Sequence, residues 1–170
     1  MKQYDTALII GRFQPFHNGH LYLLKKAAEK AEKIIFGIGT TRFPQSDDPF
    51  SFTQRKTMID QVIDHEKVTA QVSKVIDLPD FPSDEDWLKE VKERVGFFSV
   101  VVGNNDWTNG IFKADGYPIM RVPYWKRFLL EGTRIRALMR EKQPWQDRVP
   151  DYLVPEITAL MDTNMYFSTE

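Results

Sequence analysis

The sequence predicts an α/β domain: a doubly wound, parallel five-stranded sheet with flanking helices. Three observations carry that prediction. Short apolar runs alternate with stretches of helical periodicity along the whole chain. Such alternation sets the strands side by side and parallel, with helices as the crossovers. The 170 residues suffice for one domain with a substantial core, so 1–170 is read as a single unit. Polar turns follow the first, second and fourth apolar runs, at the strand ends where such sheets receive ligands.

Thr6–Ile10 is the first strand. Gly19–Ala31 is a helix, with Leu21, Leu24, Ala28 and Ala31 on one face and Asn18 placed to cap it. Lys33–Ile38 is a second buried strand. Thr40–Phe50 is a polar loop with two prolines, long enough to be functional rather than a plain connector. Ser51-Phe52-Thr53-Gln54 has the spacing of a capping box, and the helix behind it offers Met58, Ile59, Val62 and Ile63 to the core. A strand at Val72–Ile76 leads into the Pro- and Asp-rich loop Asp77–Pro82. Ser83 opens a helix with an acidic first turn, as the helix dipole favours. Leu88, Val91 and Val95 form its inner stripe and Gly96 ends it. Phe98–Val102 is the fourth strand, closed by Gly103-Asn104, and Trp107–Lys113 a short helix. Tyr117–Val122 is the fifth strand. Thr133–Glu141 is a helix with Ile135, Leu138 and Met139 inward, and residues near 150–170 form a packing helix and tail around Leu153 to Met161.

A net charge of −1 gives no electrostatic case for sequence-independent nucleic-acid binding. The chain has no cysteine, which excludes disulfides, thiolate metal sites and cysteine nucleophiles. No apolar stretch approaches a membrane span, and the N-terminus has no signal-peptide pattern. A cytoplasmic protein acting on small molecules is expected, with neither nucleic acid nor membrane as partner. There is no GxxxxGK[ST] loop and no GxSxG elbow, and Gly37-Ile38-Gly39 lacks the third glycine of a dinucleotide fingerprint.

Gly11-Arg12-Phe13-Gln14-Pro15-Phe16-His17-Asn18-Gly19-His20 crowds an arginine and two histidines onto a strand-to-helix turn. Unpaired backbone N–H groups and the positive end of the helix dipole make such a turn a phosphate site. Gly19 lets a ligand approach the backbone. A bare HxxH equally suits capping or surface histidines. As a metal site it is weak, because His65 is the only other histidine and zinc takes three or four protein ligands. In Gly132-Thr133-Arg134-Ile135-Arg136, Thr133 suits an N-cap and two arginines fall in a first turn where the dipole disfavours cations. A triphosphate would compensate them; so would solvent or distant acids. Asp77, Asp80, Phe81 and Trp87 set aromatic rings beside carboxylates, fit for stacking on a flat cationic heterocycle. Trp87 equally suits packing against Val91. Gly103-Asn104 suits a ribose or base contact, or simple turn chemistry.

Gly11 to His20 resembles the HxGH signature of the nucleotidyltransferase superfamily, in the extended form of the archaeal-type nicotinamide mononucleotide (NMN) adenylyltransferases. Asp48-Pro49-Phe50 with Arg55 resembles that family's loop and helix entry. Asp80, Trp87 and Gly103-Asn104 match its acidic loop, stacking tryptophan and strand-end turn. Gly132-Thr133 with Arg136 resembles its second motif. The resemblance implies a Rossmann-like nucleotidyltransferase fold and the reaction of NMN with ATP to give NAD and pyrophosphate. It implies Mg2+ bound mainly through the ATP phosphates, with no carboxylate cage, and a homo-oligomer. It assigns Arg12, His17, His20 and Arg136 to catalysis. ATP contacts go to Gly11, Phe13, Gly19, Gly103, Asn104, Thr133 and Arg134, and acceptor contacts to Asp80, Trp87 and Arg42. The sequence departs from the pattern at Asp47, where some members carry an arginine, and at Glu131, where serine is favoured. Alternatives are transfer to nicotinate mononucleotide, FMN or phosphopantetheine, or a non-catalytic nucleotide-binding regulatory module.

Overall fold

Five parallel strands form one sheet in the computed structural model, which describes residues 1–40 and 46–168. They are β1 (Tyr4–Gly11), β2 (Ala31–Gly39), β3 (Val72–Leu78), β4 (Val100–Val102) and β5 (Ile119–Met120), in the order β3-β2-β1-β4-β5. The chain runs outward from β1 to β3, then returns past β1 to β4. Strand order therefore switches between β1 and β4, whose carboxyl ends diverge to leave a crevice.

Residue alternation explains why both faces are covered. Ala7, Ile9, Phe36 and Val102 face one way, onto α1 (Asn18–Lys30), α2 (Phe52–His65), α5 (Gly132–Arg140) and α6 (Val154–Asp162). Leu8, Ile35 and Val101 face the other way, onto α3 (Asp84–Val95) and α4 (Asp106–Ala114). Each apolar side chain so buried contributes about 1.5–3 kcal/mol, which fixes strand register against a one-residue slip.

The predicted elements are all present, with informative shifts. Helix α1 is capped by His17, not Asn18. The box on Ser51 and Gln54 forms as expected, and Gly96 ends α3 with φ of 76°, a conformation that favours glycine. The inner stripe of α3 is Trp87, Val91 and Val95, spaced by four; Leu88 is only partly buried. Strand β4 pairs with β1 only along Ala7–Ile9, so Phe98 and Ser99 fall outside it. Strand β5 is two residues long because Val122, beyond it, pairs with the Asn104 side chain instead of a strand. Leu138 of α5 is likewise only partly buried.

Candidate active site

The crevice at the switch point is a cavity of about 560 Å³. Its walls come from the ends of β1, β2 and β4, the start of α1, and the starts of α4 and α5. Arg12, His17, His20, Thr133 and Arg136 lie at this cavity with Asp80 and Trp87, so one hollow gathers residues separated by over a hundred positions.

The two histidines build the start of α1. His17 Nδ1 accepts the Gly19 N–H at 3.1 Å, and His20 Nδ1 accepts the His17 N–H at 3.1 Å. This is a capping box made of imidazoles. The rings stack with centroids 3.6 Å apart. A Cβ on residue 19 would lie 2.9 Å from His17 Cε1, so Gly19 is required by the ring above it. With Nδ1 accepting, the proton of each neutral ring sits on Nε2, which is the nitrogen left to donate to a ligand. Burial first, and the Arg136 charge second, lower the His17 pKa to about 3. Burial, then the neighbouring His17, push His20 well below 6.5 as well, although part of its surface stays open to the cavity. Both rings are therefore neutral donors near pH 7.

That neutrality has a measurable cost. In the unfolded chain each histidine takes up its proton near pH 6.5, before the native rings do. Native stability is therefore full above that value and drains as the pH falls below it. His17 alone should cost about 2 kcal/mol between pH 7 and pH 5. Thermal melts of the ligand-free protein should show that loss, and His17→Asn should lessen it while His20 keeps its share. A melt that rises on acidification would contradict the assignment of neutral rings.

Helix α5 begins differently. Its N-cap residue is Glu131, not Thr133, and no side chain caps it. First-turn N–H groups thus stand at the cavity edge beside Gly132 and Thr133, as an anion site requires. Arg136 points inward and is 3% exposed; Arg134, two positions earlier on the opposite side of the helix, is exposed and outside the cavity wall. The expected ATP contact at Arg134 is therefore not brought to the site. Arg136 donates from Nε to Asp47 Oδ1 at 2.9 Å, from Nη2 to Asp47 Oδ2, and from Nη1 to the Gln14 carbonyl at 2.7 Å. Arg12 is 43% exposed and pairs with the buried Asp48.

At the other end, Asp80 has one buried carboxylate oxygen, Oδ2, without a hydrogen-bond partner among the described residues. Trp87 is 6% exposed and packs with Val91 and Phe112, and one part of it lines the cavity. Trp107, 54% exposed, stands beside it with ring centroids 5.1 Å apart.

Other expected contacts resolve residue by residue. Gly11 and Gly103 line the cavity through backbone. The Phe13 ring, 1% exposed, is spent on packing against His20 and Phe36 at 4.8 and 5.8 Å, so it supports the histidine. The Asn104 side chain bridges the Val122 N–H and carbonyl, which joins the cavity wall after β5 to β4 and leaves a ligand only its backbone. Arg42 lies outside the described residues.

Several residues at the site had no role assigned to them from the sequence. Gln14 pairs its amide with both backbone groups of Phe50, at 2.7 and 2.9 Å. Buried Arg55 donates to the carbonyls of Arg12 and Gly39, tying the ends of β1 and β2; burial lowers its pKa to about 10. Tyr124, Trp125 and Arg127 line the cavity, with the Arg127 cation 4.1 Å from the Tyr124 ring. Their signal was position: they follow the fifth strand, at the ligand-receiving edge.

A parallel sheet of this order, with histidine donors on one helix start and an arginine on another, defines a nucleotidyltransferase site. A family model described as cytidylyltransferase-like matches residues 8–111. The chain is 34% identical over 160 residues to a nicotinamide-nucleotide adenylyltransferase of Archaeoglobus fulgidus, covering 92% of this chain and 91% of that one. It is 35% identical to another from Methanothrix thermoacetophila, covering 89% and 88%. Among solved structures it resembles a bifunctional NMN adenylyltransferase/ADP-ribose pyrophosphatase from Francisella tularensis, with a TM-score of 0.82 and 26% identity over 96% of this chain. It spans about half (51%) of that protein. The same protein complexed with AMP and manganese matches with a TM-score of 0.74. The chain belongs to the nicotinamide-nucleotide adenylyltransferase family, within the cytidylyltransferase-like proteins.

Proposed function

We propose that this chain transfers AMP from ATP to the 5′-phosphate of NMN, giving NAD and pyrophosphate. The observation that carries the reading is one cavity with phosphate donors at one end and an aromatic wall beside the Asp80 carboxylate at the other. The acceptor's phosphate monoester is largely dianionic at neutral pH, with a second pKa of about 6, so it attacks without a general base. Its oxygen bonds to the α-phosphorus as the bond from that phosphorus to the bridging oxygen of pyrophosphate breaks. What remains for the protein is alignment and stabilisation of charge on the phosphoryl oxygens. His17 and His20 serve as Nε2–H donors, His20 towards the α-phosphate. Arg136, Thr133 and the uncapped start of α5 hold the β- and γ-phosphates, and Arg12 bridges the two substrates.

The triphosphate brings magnesium, which neutralises part of its charge. On this reading the ion would be held mainly by phosphates and water. Trp87, flanked by Trp107, offers its ring to nicotinamide. The Asp80 carboxylate, at the cavity wall, suits the carboxamide N–H of NMN and repels the carboxylate of nicotinate mononucleotide.

A pyrophosphate-release assay with ATP and a panel of phosphorylated acceptors tests the reading. NMN should give the highest kcat/KM. Asp80→Asn should narrow the preference for NMN over nicotinate mononucleotide by about tenfold or more. Tight ATP binding with no turnover on any acceptor would instead favour a regulatory module.

A further inference from the structure

We infer that Asp47 and Tyr166 are positioning residues for Arg136, holding its guanidinium from behind so that the cation stays at the cavity wall beside Thr133, at the triphosphate site. This rests on the adenylyl-transfer reading above. Asp47 engages Nε and Nη2 of Arg136, and the Tyr166 hydroxyl donates to Asp47 Oδ1 at 2.7 Å. In a planar guanidinium, Nε and Nη2 form one edge while Nη1 and Nη2 form the next. Side-on pairing with Asp47 spends the first edge. On the second, Nη2 donates to the Thr133 hydroxyl at 3.3 Å and Nη1 to the Gln14 carbonyl at 2.7 Å, both groups at the cavity wall. Arg136 and Thr133 line the cavity; neither Asp47 nor Tyr166 does. The carboxylate therefore stands behind the cation rather than between it and a ligand. That is how an acid is tolerated where an anion must bind.

The holder is itself held. The Asn164 side chain donates to the Pro49 carbonyl at 2.7 Å, and the Phe167 ring packs 5.6 Å from Phe50. Gln14 fixes Phe50 from the other side and also takes Arg136 Nη1 on its carbonyl. The short turn Met165–Phe167 near the end of the chain thus reaches the phosphate end of the site through two intermediaries. The hydrogen bond from Arg136, aided by Tyr166, lowers the Asp47 pKa to about 2, so the carboxylate stays ionised throughout the neutral range.

Binding of inorganic triphosphate, measured by calorimetry on the full chain, tests this independently of the acceptor. Tyr166→Phe, which alters no charge, should weaken triphosphate about threefold, and Asp47→Asn about tenfold. KM for ATP should rise in parallel while KM for NMN stays unchanged. Tighter binding to Asp47→Asn would mean that the carboxylate competes with phosphate, and would overturn the inference. Unchanged binding in Tyr166→Phe, or equal rises in both KM values, would overturn it as well. Should NMN prove not to be the acceptor, the triphosphate comparison still decides the matter.

Discussion

His20→Ala is expected to lower turnover by about 10²–10³, the usual contribution of one donor aimed at developing phosphoryl or oxyanion charge. Binding of both substrates should change far less. The structure adds a second, separable effect. His20 Nδ1 accepts the His17 N–H, so alanine also removes half of the capping box at α1, worth about 1 kcal/mol. His20→Asn supplies an acceptor where Nδ1 was and no donor where Nε2 was. It should recover the melting temperature without recovering turnover. A rate in His20→Ala equal to that of the parent would remove the residue from the mechanism.

Trp87→Ala should have the largest effect on stability. The ring is 6% exposed and meets Phe112 at 5.8 Å and Trp107 at 5.1 Å. Deleting it opens the core beneath the cavity, at a cost of about 3–5 kcal/mol. Any change in KM measured on such a variant would mix loss of stacking with loss of fold. Trp87→Phe keeps an aromatic face and most of the volume. It should raise KM for NMN several-fold and leave KM for ATP alone. If both rise together, Trp87 is a packing residue and nothing more.

Most of the fold is legible in the sequence because both faces of a parallel sheet are buried. Runs such as Ala7-Leu8-Ile9-Ile10 must then be apolar throughout, and few other structures ask that of so short a stretch. The two ends of the site are legible for a related reason: they sit on strand ends and helix starts, which punctuation residues mark. What stays hidden is mostly partnership. Histidine is outside the preferred set of helix caps, so Asn18 looks the better candidate until His17 is seen accepting the Gly19 N–H. Arg134 and Arg136 look equivalent as a pair, but residues two apart on a helix lie about 200° apart around its axis, so only one can face the cavity. Asp47 stands out as an acid among expected cations, yet its contacts with Arg136 and Tyr166 span 89 and 119 residues. No local pattern encodes contacts at that separation.

The imidazole capping box places each of the two histidines under two selections acting through different atoms. Nδ1 answers to the folding of the chain; in the proposed mechanism, Nε2 answers to the reaction. A lineage that abandoned the chemistry would still be held to a side-chain acceptor at both positions by the start of its first helix, and to Gly19 for as long as a ring stands above it. Drift would show first at positions with one duty, such as Thr133 and Asp80. In descendants of this chain, those residues would report whether the reaction survives sooner than the histidines would.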